Sequence, residues 1–501
     1  MLYDLAIIGG GINGAGIARD AAGRGASVVL LEKGDLAGAT SSASTKMIHG
    51  GLRYLEHYKF GLVREALAER EVLWQVAPHL VSPLRFVMPH RRGMRPKWML
   101  RTGLFLYDNL APRKMLPGMT QIDLRTAVEG QALLPEMTSA LVYSDCAVDD
   151  SRLTVLNAVD AASHGASIRT RTEVLALERR DDRWEITTRD ATGGFNSITA
   201  RVLVNAAGPW SGAIAGMALG LNRAPVRLVK GSHLIVRRRF GHNNAYVFQN
   251  GDGRIIFAVP YGDSLTLIGT TDSDYSGDPK APQITAEETT YLLAAVNRYL
   301  KQAIAETDIV HAYSGVRALY DDGASAAKDA TREYVLSLDT KAAPVLSIYG
   351  GKITTYRKLA EAAVERLAPH IAALRRPHWT ADAPLPGGNF PIDGRAALAE
   401  ALASQVRGMP RGVIARLVAA YGTLATRMLA GATSEADLGR HFGHGLYERE
   451  LDHLVRNEWA VTADDVLWRR TKLGLVMSAA EVAAVEEDMT ARVNALRSRA
   501  A

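Results

Sequence analysis

Residues 1–32 leave few folds open to this chain. Leu5-Ala6-Ile7-Ile8 is a continuous apolar run of strand length, and Gly9-Gly10-Gly11-Ile12-Asn13-Gly14 turns the chain. Ala15 to Gly23 then carries a helical pattern, and Ser27-Val28-Val29-Leu30-Leu31 forms a second apolar run that ends in Glu32. Continuous rather than alternating apolar strands are the mark of parallel strands covered on both faces. Strand, glycine turn, helix and strand in this span make a βαβ unit. Its turn carries Gly9-x-Gly11-x-x-Gly14, the spacing of a dinucleotide-binding loop. With 45 glycines in 501 residues, that spacing alone arises by chance about 0.4 times, so the context gives it weight. Gly9 permits the tight turn, Gly11 lets the backbone approach a pyrophosphate, and Gly14 lets helix and strand pack closely. Free N–H groups at the helix start favour phosphate. Glu32 is placed to accept both ribose hydroxyls, and its charge argues against a 2′-phosphate.

The neighbouring residues favour FAD over NAD. Thr40-Ser41-Ser42-Ala43-Ser44-Thr45-Lys46 is a hydroxyl-rich loop suited to pyrophosphate and ribityl oxygens, which an NAD enzyme does not need. A later apolar strand, Val345–Tyr349, runs into Gly350-Gly351-Lys352 and a helix from Thr354 to Leu367. That second helix start would favour negative charge at the pyrimidine edge of a reduced flavin. The expected cofactor is non-covalent FAD, held by Gly9, Gly11, Gly14, Glu32, Thr40, Ser41, Ser44, Gly208, Gly351 and Thr354.

Between these units, Thr172–Glu178, Trp184–Thr188 and Ser197–Ala200 read as a three-stranded antiparallel meander. A separate buried strand, Val202-Leu203-Val204, follows, and Ala286–Ile304 reads as one helix. Ala383-Pro384-Leu385-Pro386-Gly387-Gly388 marks a boundary, after which the pattern is wholly helical, with Thr462 and Asp465 spaced as a capping box. The predicted fold is therefore α/β. A discontinuous, Rossmann-like FAD-binding domain (1–80, 145–215, 310–380) joins an α+β substrate domain with an antiparallel sheet (81–144, 216–309) and an all-α domain (385–501).

Composition narrows the function classes. The single cysteine, Cys146, excludes a disulfide framework and a complete cysteine-held iron–sulfur cluster within the chain. No apolar run reaches 18 residues, and Asp4 interrupts any signal-peptide pattern. The net charge of +6 favours anionic partners. The window Arg85–Lys114 holds Arg85, Arg91, Arg92, Arg95, Lys97, Arg101, Arg113 and Lys114 against Asp108 alone, interleaved with Trp98, Phe105 and Tyr107. Such a segment is suited to lie on anionic lipid, and Arg237-Arg238-Arg239-Phe240 extends the expected patch. No nucleic-acid-binding module accompanies it.

The chain closely resembles the bacterial aerobic, FAD-dependent glycerol-3-phosphate dehydrogenases. The likeness rests on Gly9–Gly16, Ser41–Ser44, the run Ile48-His49-Gly50-Gly51-Leu52-Arg53-Tyr54-Leu55-Glu56 and Val204–Trp210. It continues in Lys230–His233, Ile268–Asp272, Tyr313–Arg317, Gly350–Arg357 and Arg469–Gly474. The resemblance implies a fold like D-amino-acid oxidase and oxidation of sn-glycerol 3-phosphate to dihydroxyacetone phosphate. The C2 hydride would pass to flavin N5 and the electrons to a membrane quinone. It further implies a homodimer, peripheral on the cytoplasmic face of the inner membrane. By the same resemblance Arg53, Tyr54, Arg332 and Lys352 hold the substrate phosphate, and Arg317 meets either the phosphate or the C2 oxygen. His49 and His233 both sit in matched motifs and are alternative bases, since an imidazole suits proton abstraction near neutral pH. Two other readings remain open: an amino-acid oxidase of the same fold, and a flavoprotein that modifies tRNA.

Overall fold

A computed structural model describes residues 1–91, 94–112, 115–221, 225–321 and 333–500, with side chains to 495. The N-terminal unit forms as read: β1 (Leu2–Ile8), α1 (Ile12–Gly23) and β2 (Val28–Leu31). Both strands are buried on both faces over Leu5–Ile8 and Val28–Leu31, which explains their continuous apolar character. Two glycines make the turn possible. Gly9 adopts φ +114° with Ala206 O only 2.5 Å from where a side chain would start, and a Cβ on Gly14 would fall 1.9 Å from Gly9 O. Helix α1 packs against the helices Asp150–Ser163 and Tyr356–Leu367, and its buried Arg19 pairs with Asp160 at 2.6 Å.

The first sheet runs, from one edge, Val335–Asp339, Val345–Tyr349, Phe195–Asn205, β1, β2 and Ser167–Arg169. All neighbours are parallel except the edge strand Val335–Asp339. The meander is present as Glu173–Arg179, Trp184–Arg189 and Phe195–Asn205. Its third strand corrects the sequence reading. Ser197–Ala200 and Val202–Val204 belong to one strand, whose exposed beginning forms the hairpin and whose buried end lies beside β1.

The second sheet contains Val226–Arg237 paired antiparallel with Leu265–Gly269 and Ile309–Tyr320. It continues through Ile255–Tyr261 and Ala245–Gln249 to Val81–His90 and Ser139–Val148. Its pairs are antiparallel apart from Ala245–Gln249 against Val81–His90. Because Ile309–Tyr320 runs along Val226–Arg237, residues 310–320 lie in this sheet rather than in the first. One face is covered by the helix Ala286–Asn297, and the other by Phe60–Val76 and Lys97–Asn109. The helix predicted to reach Ile304 stops at Asn297. There the Asn297 side chain accepts from Ile304 N at 2.8 Å and donates to Ile304 O at 2.9 Å, folding 298–304 back as a turn.

From Arg395 onward the chain is helical around its own core, including Leu417, Tyr421, Leu451, Leu454 and Val466. Thr462 and Asp465 do form reciprocal cap bonds, at 3.0 and 3.3 Å. They open the π-helical turn Asp465–Arg470. Among the described residues no helix is long and apolar enough to cross a membrane.

A flavin cavity with a cationic end

One cavity of about 1430 Å³ lies between the carboxyl ends of the first sheet and the second sheet. This exceeds the few hundred to one thousand Å³ of ordinary small-molecule pockets, and so suits a dinucleotide together with a substrate. Gly9, Gly11, Glu32, Thr40, Ser41, Ser44, Gly208, Gly351 and Thr354 line it. Gly14 does not; it acts one layer behind, as the contact that brings α1 onto the turn.

Several of these groups are already committed within the protein. Glu32 accepts from Gly10 N and Gly34 N, each at 2.7 Å, and burial pushes its pKa up. Thr40 donates to Val316 O at 2.5 Å. Ser44 donates to Asp150 at 2.7 Å and accepts from Lys46 N, so its hydroxyl latches the loop to the buried Lys46–Asp150 pair and has no hydrogen left to donate to a ligand. Ser41 accepts from Ile12 N at 2.9 Å, which keeps its own O–H to give. Asn13 donates to Gly350 O at 3.3 Å, while its Oδ1 is buried with no partner among the described residues. This orphan acceptor between the two glycine turns, and the open backbone at Gly208, where nothing approaches within 4 Å of a Cβ, fit a large hydrogen-bonding ligand such as FAD.

The other end is cationic. Arg53, Tyr54, Arg317 and Lys352 line the cavity with His49. The Lys352 ammonium lies 3.6 Å from the centre of the Tyr54 ring, and Arg317 is ion-paired with Asp272. The His49 amide donates to Thr354 Oγ1 at 3.3 Å, joining the two halves of the site. Burial, reinforced by Lys352, holds the His49 pKa down at about 4. His233 does not line the cavity. Its Nε2 pairs with Thr45 Oγ1 at 2.9 Å, its ring stacks on Tyr313, and Nδ1 is buried without a partner among the described residues. Burial, with Arg317 and Lys46 nearby, holds its pKa well below the usual range. Arg332 lies outside the described residues.

Sequence reading missed Asp272 as the partner of Arg317, and Thr45 as the group between His233 and the cavity. It also missed Thr462, Asp464 and Arg469, which line the cavity from the helical unit. In the sequence Arg469 and Arg470 stand out only as part of the motif Arg469–Gly474.

The basic window divides as well. Trp98 and Phe105 on the helix Lys97–Asn109 are 70% and 62% exposed, while Leu104 and Tyr107 face inward. Arg85 is turned inward, bonded to Gly118 O, Ser144 and Thr120, so it belongs to the sheet and not to a lipid-facing surface. Arg95 pairs with Glu56 at 2.5 Å, Arg91 with Glu136 at 3.8 Å and Arg239 with Asp308. Arg238 is bonded to loop carbonyls, which removes it from the expected patch. Arg92, Arg113 and Lys114 lie outside the described residues.

The fold and cavity are those of a flavin oxidoreductase, and comparison with known proteins agrees. Residues 4–357 match the FAD-dependent oxidoreductase family, and 378–494 match the C-terminal domain of alpha-glycerophosphate oxidase. A glycerol-3-phosphate dehydrogenase of Pseudomonas aeruginosa is 52% identical over 95% of this chain and 93% of its own length. A D-erythritol 1-phosphate dehydrogenase of Brucella abortus is 49% identical over 97% of each. The crystal structure of a Bacillus halodurans glycerol-3-phosphate dehydrogenase complexed with FAD superposes with a TM-score of 0.78 at 27% identity, over 98% of this chain and 91% of that one. The chain belongs to the FAD-dependent oxidoreductase family, in the branch of the glycerol-3-phosphate dehydrogenases.

Proposed function

We propose that the protein oxidises sn-glycerol 3-phosphate to dihydroxyacetone phosphate. The observation that carries this reading is the gathering of Arg53, Lys352 and Arg317 beside a neutral His49 in one cavity. A phosphomonoester dianion requires several cations, with Arg offering paired planar contacts and Lys a point charge. FAD, when bound, supplies the two-electron acceptor for the hydrogen on C2. His49 takes the hydroxyl proton of C2 on its ring nitrogen, which is free to accept because burial and Lys352 keep the ring neutral. Arg317, steadied by Asp272, stabilises negative charge on the C2 oxygen. His233 supports the site through Thr45 and is not the base.

The exposed aromatic face of Lys97–Asn109, with Lys97 and Arg101 also exposed, supports peripheral docking on anionic lipid. From there a membrane quinone would take the electrons. A longer polyol phosphate is the second reading, favoured by the Brucella relative. The test is a visible spectrum of the purified holoenzyme followed without oxygen. Bleaching of the flavin bands by sn-glycerol 3-phosphate, but not by glycerol, is expected. Faster bleaching by D-erythritol 1-phosphate would transfer the assignment to the longer substrate, and no bleaching by either would refute a phosphate-directed alcohol oxidation.

A further inference from the structure

The helical unit carries no group that the oxidation needs, yet Thr462, Asp464, Asp465 and Arg469 form part of the cavity wall beside Glu32, Lys33 and Arg171. In a βαβ dinucleotide fold the acid at the end of the second strand marks the adenosine ribose. The wall at Glu32 therefore faces the adenosine end of a bound dinucleotide, remote from the reacting atoms.

This contact is locked by buried charge. Arg171 meets Asp465 at 2.5 Å, and Arg469 meets both Asp35 and Asp465 at 2.5 Å. Arg470 grips both oxygens of Asp35, at 2.6 and 2.8 Å, and also donates to Glu458 O. Asp35 and Arg470 have side chains only 3% and 0% exposed, so withdrawal of the helical unit would strand unpaired buried charges. Two donors of this contact make no hydrogen bond among the described residues, Arg470 Nε and Arg171 Nη1, and of these two residues Arg171 lines the cavity. Thr462 and Asp464 are exposed and present a hydroxyl and a carboxylate to the same end.

We propose that the helical unit is an integral part of the FAD site. The segment 462–469 closes over the adenosine moiety. Asp464 and Thr462 accept from its amino and hydroxyl hydrogens, and the chain Arg171–Asp465–Arg469–Asp35 holds the segment shut. Retention of FAD, rather than its chemistry, then depends on this unit. The proposal rests on the cofactor being FAD, and its experiment separates the two.

Full-length protein stripped of flavin is titrated calorimetrically with FAD and with ADP, the half of FAD that would lie under the segment. Asp465→Asn cuts the lock, and Asp464→Arg changes an exposed wall residue without touching it. Both variants are expected to weaken FAD and ADP at least tenfold and to release bound flavin faster on dilution. Far-UV circular dichroism should stay as in the parent. FAD and ADP affinities within twofold of the parent in Asp464→Arg overturn the proposal, and this holds even if Asp465→Asn fails to fold. A parent that binds ADP but not FAD would overturn the cofactor assignment instead.

Discussion

His49 is neutral because of where it sits. Burial withdraws solvation from the imidazolium, and the Lys352 ammonium adds repulsion, so the ring stays unprotonated down to about pH 4. The acid limb of kcat, into which the phosphate ionisation of the free substrate near pH 6 does not enter, should accordingly fall near pH 4 rather than near 6.5, the value of a free imidazole. Replacing His49 by Asn should lower kcat by about a hundred- to ten-thousandfold, the usual range for a lost general base, with the flavin spectrum unchanged. Retention of full activity would return the base to His233 or to a route through Arg317. Lys352→Met offers a signed test of the same coupling. Removing the cation relieves the repulsion, so the acid limb should move upward by up to about one pH unit, burial still acting. Loss of a charge-assisted contact to phosphate should raise KM by about ten- to a hundredfold. A KM that rises while the pH profile stays put would leave burial alone responsible for the neutral ring.

The loop that presents His49 is held from an unexpected direction. Tyr107, on the inner face of the helix Lys97–Asn109, accepts from Gly50 N at 2.8 Å and donates to Asp145, which is paired in turn with Arg70 at 2.7 Å. The surface helix thus supports the substrate loop through one hydroxyl. Tyr107→Phe leaves the Gly50 amide without its acceptor, and should reduce stability by about 1–3 kcal/mol and raise KM. Thermal unfolding and steady-state kinetics on the same sample check both effects. None of this was legible beforehand, because a contact between Gly50 and Tyr107 obeys no spacing rule. The elements that were legible have strong local causes. β1, α1 and β2 follow from continuous apolar runs around a turn that only glycine fits, and Val345–Tyr349 appears with the limits that its apolar run implies. The strand Phe195–Asn205 reads as two in the sequence because its character changes at Arg201, where it passes from an exposed hairpin into the core. The sequence does not place His233 relative to the cavity, because the orientation of a strand side chain depends on register. Opposite Gly269 and Tyr313, its buried ring stacks on Tyr313 and reaches the cavity wall only through Thr45.

At the level of the whole molecule, the helical unit walls the cavity at the Glu32 end, while the helix Lys97–Asn109 supports the substrate loop through Tyr107 and turns Trp98 and Phe105 outward. Trp98→Ala combined with Phe105→Ala should abolish flotation with anionic vesicles while leaving flavin bleaching by substrate intact; unchanged flotation would remove the helix as the docking surface. The opposite end should be the acid-sensitive one. His79, 1% exposed, lies where Arg395 of the helical unit bonds to Pro78 O. Burial, with Arg152 and Arg395 adding repulsion, lowers its pKa to about 3. Between pH 6.5 and that value the unfolded chain binds a proton there and the folded chain does not. Stability therefore falls as pH falls, by roughly 1.4 kcal/mol per pH unit for this group. Burial alone would raise the pKa values of Glu458 and Asp465, but their arginine partners prevail and hold both at about 2. Each contributes stability that is complete above its unfolded pKa and is lost as pH drops towards 2. All three groups stand where the helical unit meets the rest of the chain, so acid should loosen that junction before the separate cores melt. Flavin fluorescence and far-UV circular dichroism followed together from pH 7 to pH 3 should show flavin release preceding loss of helix. Coincident transitions would mean that the junction is no weaker than the domains it joins.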